Sequence, residues 1–201
     1  MNLEELFEKL LPKNRINRIH YFTARVSARP NAPDTAVKQG SYLRALGTLP
    51  KVSVHYGTFL ASPVRAPVLV CDASGYPVRK NNELVVKTAQ SGKPVMEWFY
   101  KSEEKGSDVN LAAQLLRDAF TGDCRCAVIV SNDSDLLTPI RIAKDDCGLV
   151  IGLVPPRAKG SAELKKLAHF QKSLRVHELV AAQFPTQFQD KSGTITKPTT
   201  W

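Results

Sequence analysis

The segment AVIVSNDSDLLTPI, residues 127–140, decides the fold of this chain. Its apolar start predicts a buried strand, and its second half predicts a helix that begins beside Asp133 and Asp135. A strand that leads directly into a helix is typical of α/β proteins, in which ligands collect at the carboxyl ends of the strands. The two carboxylates therefore stand where an α/β protein would bind a ligand.

Helices and strands alternate on both sides of this segment. We expect strands over 18–26, 51–60, 96–100, 126–131 and 149–154, and helices over 3–11, 35–47, 107–121, 162–170 and a stretch that ends with Cys147. Gly122 and Gly148 are predicted to end two of these helices in the left-handed conformation. The alternation predicts an α/β fold with a mostly parallel sheet and helices on both of its faces.

The domain organisation follows from the breaks in this rhythm. Residues 1–183 are predicted to form one domain, in which prolines and glycines mark a hairpin-like insertion at about 61–95. Residues 184–201 are predicted to be an extended or disordered tail. The aromatic residues Trp98, Phe99 and Tyr100 are expected to belong to the core.

Composition indicates the kind of partner. The 201 residues include 28 basic and 19 acidic ones, which gives a net charge of +9 and favours a polyanionic partner such as RNA. Neither a secretion signal nor an apolar run of about 18 residues occurs, so we expect no membrane span and a cytoplasmic protein. The four cysteines are expected to be reduced thiols.

A third acid stands in EEKGSDVNLAAQLLRDA, residues 103–119. Asp108 opens a helix whose apolar positions include Leu115 and Ala119, so we expect it to face the buried stripe and to reach the edge that carries Asp133 and Asp135. Like charges about 4 Å apart repel by roughly 4 kcal/mol at an intermediate dielectric. The three aspartates are therefore predicted to hold a hard divalent cation, Mg²⁺ or Mn²⁺.

Such a cation would activate water and neutralise charge on a phosphoryl group. Lys105 is a candidate phosphate contact. Capping of the following helix is the competing explanation for the polar residues 132–135, although one cap accounts for only one of them. Further polar donors near the cation are expected to be Ser131, Asn132, Ser134 and Thr138. The four histidines are assigned no catalytic role: His20, His55, His169 and His177.

In these two acidic segments, and in LVIGLVPP at 149–156, the sequence resembles the NYN domain family, a bacterial branch of the PIN-like ribonuclease superfamily. The resemblance implies a PIN-like three-layer α/β/α sandwich with a Mg²⁺-dependent site that hydrolyses RNA phosphodiester bonds. The aspartates that match the family motifs are Asp108, Asp133 and Asp135. The chain would thus be classed as a ribonuclease and hydrolase.

The chain departs from the family at its start. Members open with a hydrophobic strand, central to the sheet, that ends in an Asp-Gly-x-Asn motif, whereas this chain begins with a helix. We therefore expect the first, central strand and its aspartate to be missing. The chain would then be either a truncated form or a degenerate, inactive member; we favour truncation and expect reduced stability and weak or no nuclease activity.

Two other functions remain open. A non-catalytic RNA-binding or regulatory protein would use the same fold without the reaction. A remote alternative is a haloacid-dehalogenase-like phosphatase, since Asp133-Ser134-Asp135 imitates its D-x-D motif, with Leu137 where Thr or Val is usual. Dinucleotide binding is not expected, because neither GxGxxG nor GxxxxGK[ST] occurs. Assembly into a homo-oligomer is left open by the sequence.

Overall fold

The computed structural model describes residues 1–27, 32–157 and 160–198, so the last three residues of the predicted tail lie outside the described ranges. The chain divides into two compact units. Unit 1 comprises Met1–Thr58 and Lys105–Trp201, and unit 2 comprises Phe59–Glu104. Both helices and sheets are present, which confirms the mixed α/β class.

The helices of unit 1 lie close to the positions that the sequence predicts. They are α1 (Leu3–Leu10), α2 (Thr35–Leu46), α3 (Ser107–Thr121), a short 3-10 turn (Ser134–Leu136), α4 (Leu137–Asp145), α5 (Ala162–Leu167) and α6 (Val176–Ala181). Gly122 and Gly148 have a φ of +66°, as expected for left-handed residues that end helices. The helix α6 was not predicted.

Several strands are shorter or longer than predicted. They are β1 (Ile19–Ala24), β2 (Val52–Pro67), β3 (Arg79–Lys80), β4 (Glu83–Leu84), β5 (Met96–Lys105), β6 (Cys126–Ile129), β7 (Val150–Leu153), β8 (Phe170–Gln171), β9 (Gln187–Asp190) and β10 (Gly193–Thr196). Strands β2 and β5 each have residues in both units.

Within the described ranges, the strands do not form the single, mostly parallel sheet that we expected. Instead, there are two three-stranded sheets, with the orders β1-β2-β5 and β6-β7-β8. Strands β1 and β2 are parallel, with Ile19 opposite Val52, and β6, β7 and β8 are also parallel. Within the described residues, β1 and β6 are edge strands, since each has a hydrogen-bonded neighbour on one side only, and no strand pairing joins the two sheets.

Two helices hold unit 1 together through apolar contacts. The buried Leu3 of α1 packs with Leu46 of α2, and the end of α1 packs against Val154, which follows β7. On α3, Leu115 joins the core that covers β6 and β7. Each such leucine contributes roughly 1.5–3 kcal/mol by burial, and the burial of Leu115 holds α3 against β6 and β7.

Unit 2 contains an internal repeat that the sequence analysis missed. The segment 71–77 closes with the N–H of Asp72 donating to the carbonyl of Tyr76 at 2.9 Å, and 88–94 closes in the same way from Ala89 to Lys93 at 2.9 Å. Both segments contain Ser-Gly with the glycine at positive φ. The sequence predicts a hairpin-like insertion at about 61–95, and in this segment the structure has the antiparallel pair of β3 and β4 together with two equivalent turns.

The predicted extended or disordered tail contains a hairpin. Strands β9 and β10 pair antiparallel, and Ile195 on β10 is buried. Two parallel hydrogen bonds of 3.1 and 2.7 Å join Arg44 of α2 to Asp190. These contacts order a polar segment that has little apolar surface of its own. Among the described residues, no helix has the length and apolar character needed to cross a membrane.

Candidate functional site

The turn after β6 is built by its own polar side chains. The Oγ of Ser131 accepts a hydrogen bond from the N–H of Asp133 at 3.0 Å, and Oδ1 of Asp133 accepts one from the N–H of Asp135 at 2.9 Å. Asp133 is therefore the cap of the 3-10 turn. Capping accounts for one oxygen of Asp133, and Asp135 is exposed in the 3-10 turn.

Asp108 does not face the buried stripe, contrary to our expectation. It is exposed in the first turn of α3, whereas the fully buried residues of that helix begin at Leu115, two turns later. The start of α3 lies close to Gly57, since a Cβ on Gly57 would lie only 2.8 Å from Oγ of Ser107 in the first turn of α3 and 2.5 Å from the carbonyl oxygen of Lys105, the last residue of β5. Gly57 thus lets β2 and the first turn of α3 come together.

The three acids follow strands of two different sheets, not of one sheet as we expected. Asp108 follows β5, which belongs to the sheet of β1, whereas Asp133 and Asp135 follow β6 in the other sheet. Helix α3 does contact the 3-10 turn. Among the described residues, no three or more His, Cys, Asp or Glu side chains lie together as a metal-binding group.

The other polar residues predicted to lie near the cation differ in how deeply they are buried. The Oδ1 of Asn132 is buried and has no hydrogen-bond partner among the described residues. A Cβ on Gly160 would lie 2.9 Å from this oxygen, so the loop that follows β7 passes directly over it. The remaining predicted donors are exposed on the surface: Lys105, Ser134 and Thr138.

A second polar cluster, which the sequence analysis missed, joins three elements of unit 1. Nδ1 of His20 on β1 lies 2.8 Å from Nε2 of His55 on β2, and the imidazole of His55 stacks on Phe22 at 4.8 Å. On its other side, Nε2 of His20 lies 3.2 Å from Oδ2 of Asp118 on α3. We call His20, His55 and Asp118 the histidine cluster.

The contact between His20 and Asp118 is electrostatic. Nε2 of His20 is buried, and its direction toward Asp118 does not meet the geometry of a hydrogen bond. The Nε2 of Gln114 donates to the other oxygen of Asp118 at 2.6 Å and so holds the carboxylate in place. Burial lowers the pKa of His20, and the positive Arg18 and the ring of His55 act in the same direction against the raising effect of Asp118.

The histidine cluster borders an open cleft of about 540 Å³. The floor of the cleft comes from β2 through Val54, His55 and Tyr56, and its wall comes from α3, where Gln114 and Arg117 lie. Its volume is within the range usual for small-molecule sites. The cleft combines an imidazole, a guanidinium and an aromatic residue in one place.

Sequence reasoning had no local signal for this cluster. His20 and His55 are 35 positions apart, and only the parallel pairing of β1 with β2 and the packing of α3 on β1 bring the three side chains together. One signal was available: each histidine stands in a predicted strand. Since side chains at alternating positions of a strand share a face, two polar side chains in neighbouring strands can meet on the same face of the sheet.

The aromatic residues of β5 are a further correction. Trp98, Phe99 and Tyr100 were expected in the core, but Trp98 is 69% and Tyr100 is 79% exposed. Together with Ala61 and Pro63 of β2, they line a shallow depression of unit 2. The aromatic run was mistaken for a core strand because its hydrophobicity does not reveal that residues on both faces of the strand are exposed.

Comparison with known proteins gives one distant similarity. The chain is 29% identical over 191 residues to 6-hydroxy-3-succinoylpyridine 3-monooxygenase HspA of Pseudomonas putida (strain DSM 28022 / S16). The match covers 91% of this chain and 57% of that protein, so the chain spans little more than half the length of the relative. No protein-family model and no solved structure matches the chain.

This comparison corrects the classification expected from the sequence. A monooxygenase is an oxidoreductase, which transfers oxygen and electrons, whereas a ribonuclease is a hydrolase, which adds water across a phosphodiester bond. The name of the relative therefore does not fit the classes ribonuclease and hydrolase, and we do not retain them for this chain.

Proposed function

We propose that unit 1 is a PIN-like domain, similar to those of the NYN family, and that the protein binds RNA with the help of Mg²⁺ or Mn²⁺ at the turn after β6. The observation that carries this proposal is the position of Asp133 and Asp135, in a turn that directly follows a parallel strand. Ligands of open α/β sheets bind at such carboxyl ends.

The donors at this turn suit a hard cation. Asp133 keeps Oδ2 outside its capping bond, Asp135 is exposed, and the buried Oδ1 of Asn132 has no partner among the described residues. Mg²⁺ prefers oxygen ligands and is commonly held by one or two carboxylates together with water. Asp133 and Asp135 would hold the ion, and Asp108 would approach it through the contact of α3 with the turn. When bound, the ion would attract phosphate oxygens.

The RNA partner is supported by charge and by exposed rings. The net charge of +9 favours a polyanion. In unit 2, Trp98 and Tyr100 occupy alternate positions of β5 and so share a face, where bases can stack. Arg65 and Lys80 of the same unit are exposed cations. The proposed location is the cytoplasm, where the four cysteines, all free thiols, would stay reduced.

The test is the fluorescence anisotropy of a labelled single-stranded RNA, titrated with the protein in Mg²⁺, in Mn²⁺ and in EDTA. We expect the divalent ions to raise the affinity about tenfold, which corresponds to about 1.4 kcal/mol, and Asp133→Asn to remove this gain while keeping the cap. Asp145→Asn, an exposed acid at the end of α4, is the matched control. Equal affinity in Mg²⁺ and EDTA would contradict the metal site.

The aromatic face is tested separately. Trp98→Ala should weaken RNA binding by about 1–3 kcal/mol, equally in Mg²⁺ and in EDTA, because stacking does not depend on the ion. Phe120→Ala is the control, since Phe120 is 68% exposed on α3 in the other unit. If neither Asp133→Asn nor Trp98→Ala changed the affinity for RNA, the proposal as a whole would be refuted.

A second candidate function comes from the relative. Similarity over 91% of the chain supports a role as part of an oxidoreductase that acts on a small aromatic acid, as the name of HspA describes for that protein. The test supplies 6-hydroxy-3-succinoylpyridine, oxygen and NADH to the purified chain and follows the substrate by chromatography. Consumption of the substrate would favour this candidate, and an unchanged substrate would count against it.

A further inference from the structure

The protonation of the histidine cluster can be deduced from its geometry. If Nδ1 of His20 carried the proton, the lone pair of its Nε2 would face the Asp118 carboxylate at 3.2 Å, which is repulsive. With the proton on Nε2, the same contact is attractive. Nδ1 of His20 then accepts the 2.8 Å hydrogen bond, and Nε2 of His55 donates it.

This arrangement makes His55 a proton acceptor. An imidazole that donates from Nε2 has its lone pair at Nδ1. None of the described residues forms a hydrogen bond with Nδ1 of His55, and His55 lines the cleft. Positive charge that forms on His55 would be stabilised through His20 by Asp118, since the carboxylate is held by Gln114. The chain of contacts thus ends at a base in the cleft.

Arg117 indicates which ligand would bring that proton. It lines the same cleft, it is exposed, and it forms no ion pair with any residue that the structure describes. A free guanidinium recognises carboxylate or phosphate through two parallel hydrogen bonds. Tyr56 on the floor of the cleft is 43% exposed, and the guanidinium of Arg25 lies over its ring at 4.8 Å from the centroid, which places a second cation beside the cleft.

We propose that this cleft is a binding site for a small organic anion with an acidic hydroxyl group, in which Arg117 binds the anion and His55 takes the hydroxyl proton. The O–H bond breaks, the oxygen keeps the electron pair, and the proton forms an N–H bond at Nδ1 of His55. His20 and Asp118 are positioning residues, because they act on the ligand only through His55. The site is separate from the turn after β6 and does not depend on RNA binding.

The probe is 4-hydroxy-3-nitrobenzoate, which carries a carboxylate and a phenol whose anion is yellow. We expect the full chain to bind it and to shift its titration, so that more yellow phenolate forms at a given pH when the protein is present. The comparison compounds on the same wild-type protein are 3-nitrobenzoate, which lacks the hydroxyl group, and 2-nitrophenol, which lacks the carboxylate and should bind about tenfold more weakly.

Variants separate the roles. Arg117→Gln should weaken binding about tenfold without changing the titration of bound probe, whereas His55→Gln should abolish the extra phenolate. Asp118→Asn should raise the pH at which bound probe turns yellow and leave its affinity nearly unchanged, which a merely structural role would not do. Matched controls are Arg141→Gln and His177→Gln, both exposed residues outside the cleft.

The pH series must account for every charge near the cluster. His20 is faced by Arg18, which precedes β1, by His55 of β2 and by Asp118 of α3. Burial and the carboxylate of Asp118 raise the pKa of the Cys124 thiol, and Arg25 lies 4.8 Å from the ring of Tyr56. Arg18 is itself paired with Asp123 at 3.1 Å, and its charge does not change over the neutral range. Absence of extra phenolate with the wild-type chain, or equal phenolate with His55→Gln, would overturn the proposal.

Discussion

The turn after β6 and the histidine cluster differ in how the chain builds them. The turn takes all its polar groups from consecutive residues, 131–135, and its hydrogen bonds close within that segment. The cluster takes one side chain each from β1, β2 and α3. A site built from neighbours in sequence can be seen as a motif, whereas a site built across elements exists only after they pack.

The polar groups of the two regions also differ in their hydrogen bonding and burial, which affect the free energy of folding. At the turn, Asp133 gains a hydrogen bond from the backbone, and Asp135 stays in water. In the cluster, Nε2 of His20 is buried without an aligned hydrogen bond. A buried polar atom without a partner costs about 1–3 kcal/mol. Among the described residues, the Oδ1 of Asn132 at the turn is buried without a partner as well, so both regions carry this penalty, and in the cluster the carboxylate of Asp118 at 3.2 Å offsets part of it.

Gly57→Ala should have the largest effect, because α3 carries both Asp108 and Asp118 and its first turn depends on Gly57. The new Cβ would lie 2.5 Å from the backbone oxygen of Lys105, so the backbone itself must move. We expect the free energy of unfolding to fall by about 1–3 kcal/mol, measured by chemical denaturation.

Gly40→Ala provides the matched control for this comparison. Gly40 lies inside α2, and nothing is within 4 Å of the position of its Cβ. The added methyl group should leave stability unchanged or raise it by about 0.5–1 kcal/mol, since alanine favours helix. Equal effects of the two substitutions would show that the approach of β2 to α3 does not determine the position of that helix.

Asp133→Ala should have an intermediate effect, and it divides capping from cation binding at the turn. Loss of the hydrogen bond from Oδ1 to the N–H of Asp135 should cost about 1 kcal/mol of stability. Asp135→Ala, which removes an exposed side chain, should change stability by less than about 0.5 kcal/mol. Thermal melts with and without Mg²⁺ measure both quantities. If both variants lost the same stability, Asp133 would not be the cap.

The sequence predicted local structure well and long-range structure poorly. The range of α3 and the left-handed Gly122 and Gly148 were predicted correctly, because helix length and C-capping depend on nearby residues. The single sheet was wrong, because strand periodicity does not say which strands are neighbours. The exposure of Trp98 and Tyr100 was missed for a related reason, since hydrophobicity does not tell a core strand from an uncovered one.

The residues of the candidate sites also fall into those that local sequence predicts and those that depend on long-range packing. Asp133 and Asp135 could be found from their position between a strand and a helix, whereas the exposure of Asp108 could not, because it depends on where α3 meets the core. No spacing rule relates His20 to Asp118, which are 98 positions apart in the printed sequence. Their contact results from the packing of α3 on β1.

The smallest expected effect is the pH dependence of stability that His20 causes. Burial lowers the pKa of His20 below its ordinary value of 6.5, so below that value the unfolded chain binds more protons at this position than the folded chain. Stability must then decrease as the pH falls through the range between 6.5 and the lower pKa of the folded state. Since Asp118 opposes the effect of burial, the decrease should be modest.

His20→Gln tests this sign with little change in side-chain size. Melting temperatures of the wild-type chain and the variant, compared between about pH 7.5 and about pH 5.5, should show a smaller loss on acidification for the variant. His177→Gln removes an exposed histidine of α6 and should leave the wild-type dependence intact. If His20→Gln increased the sensitivity to acid, the protonated form of His20 would stabilise the fold, and the attraction to Asp118 would outweigh burial. The cluster would then be an ion pair, and the proton would reside on His20 before any ligand reached His55.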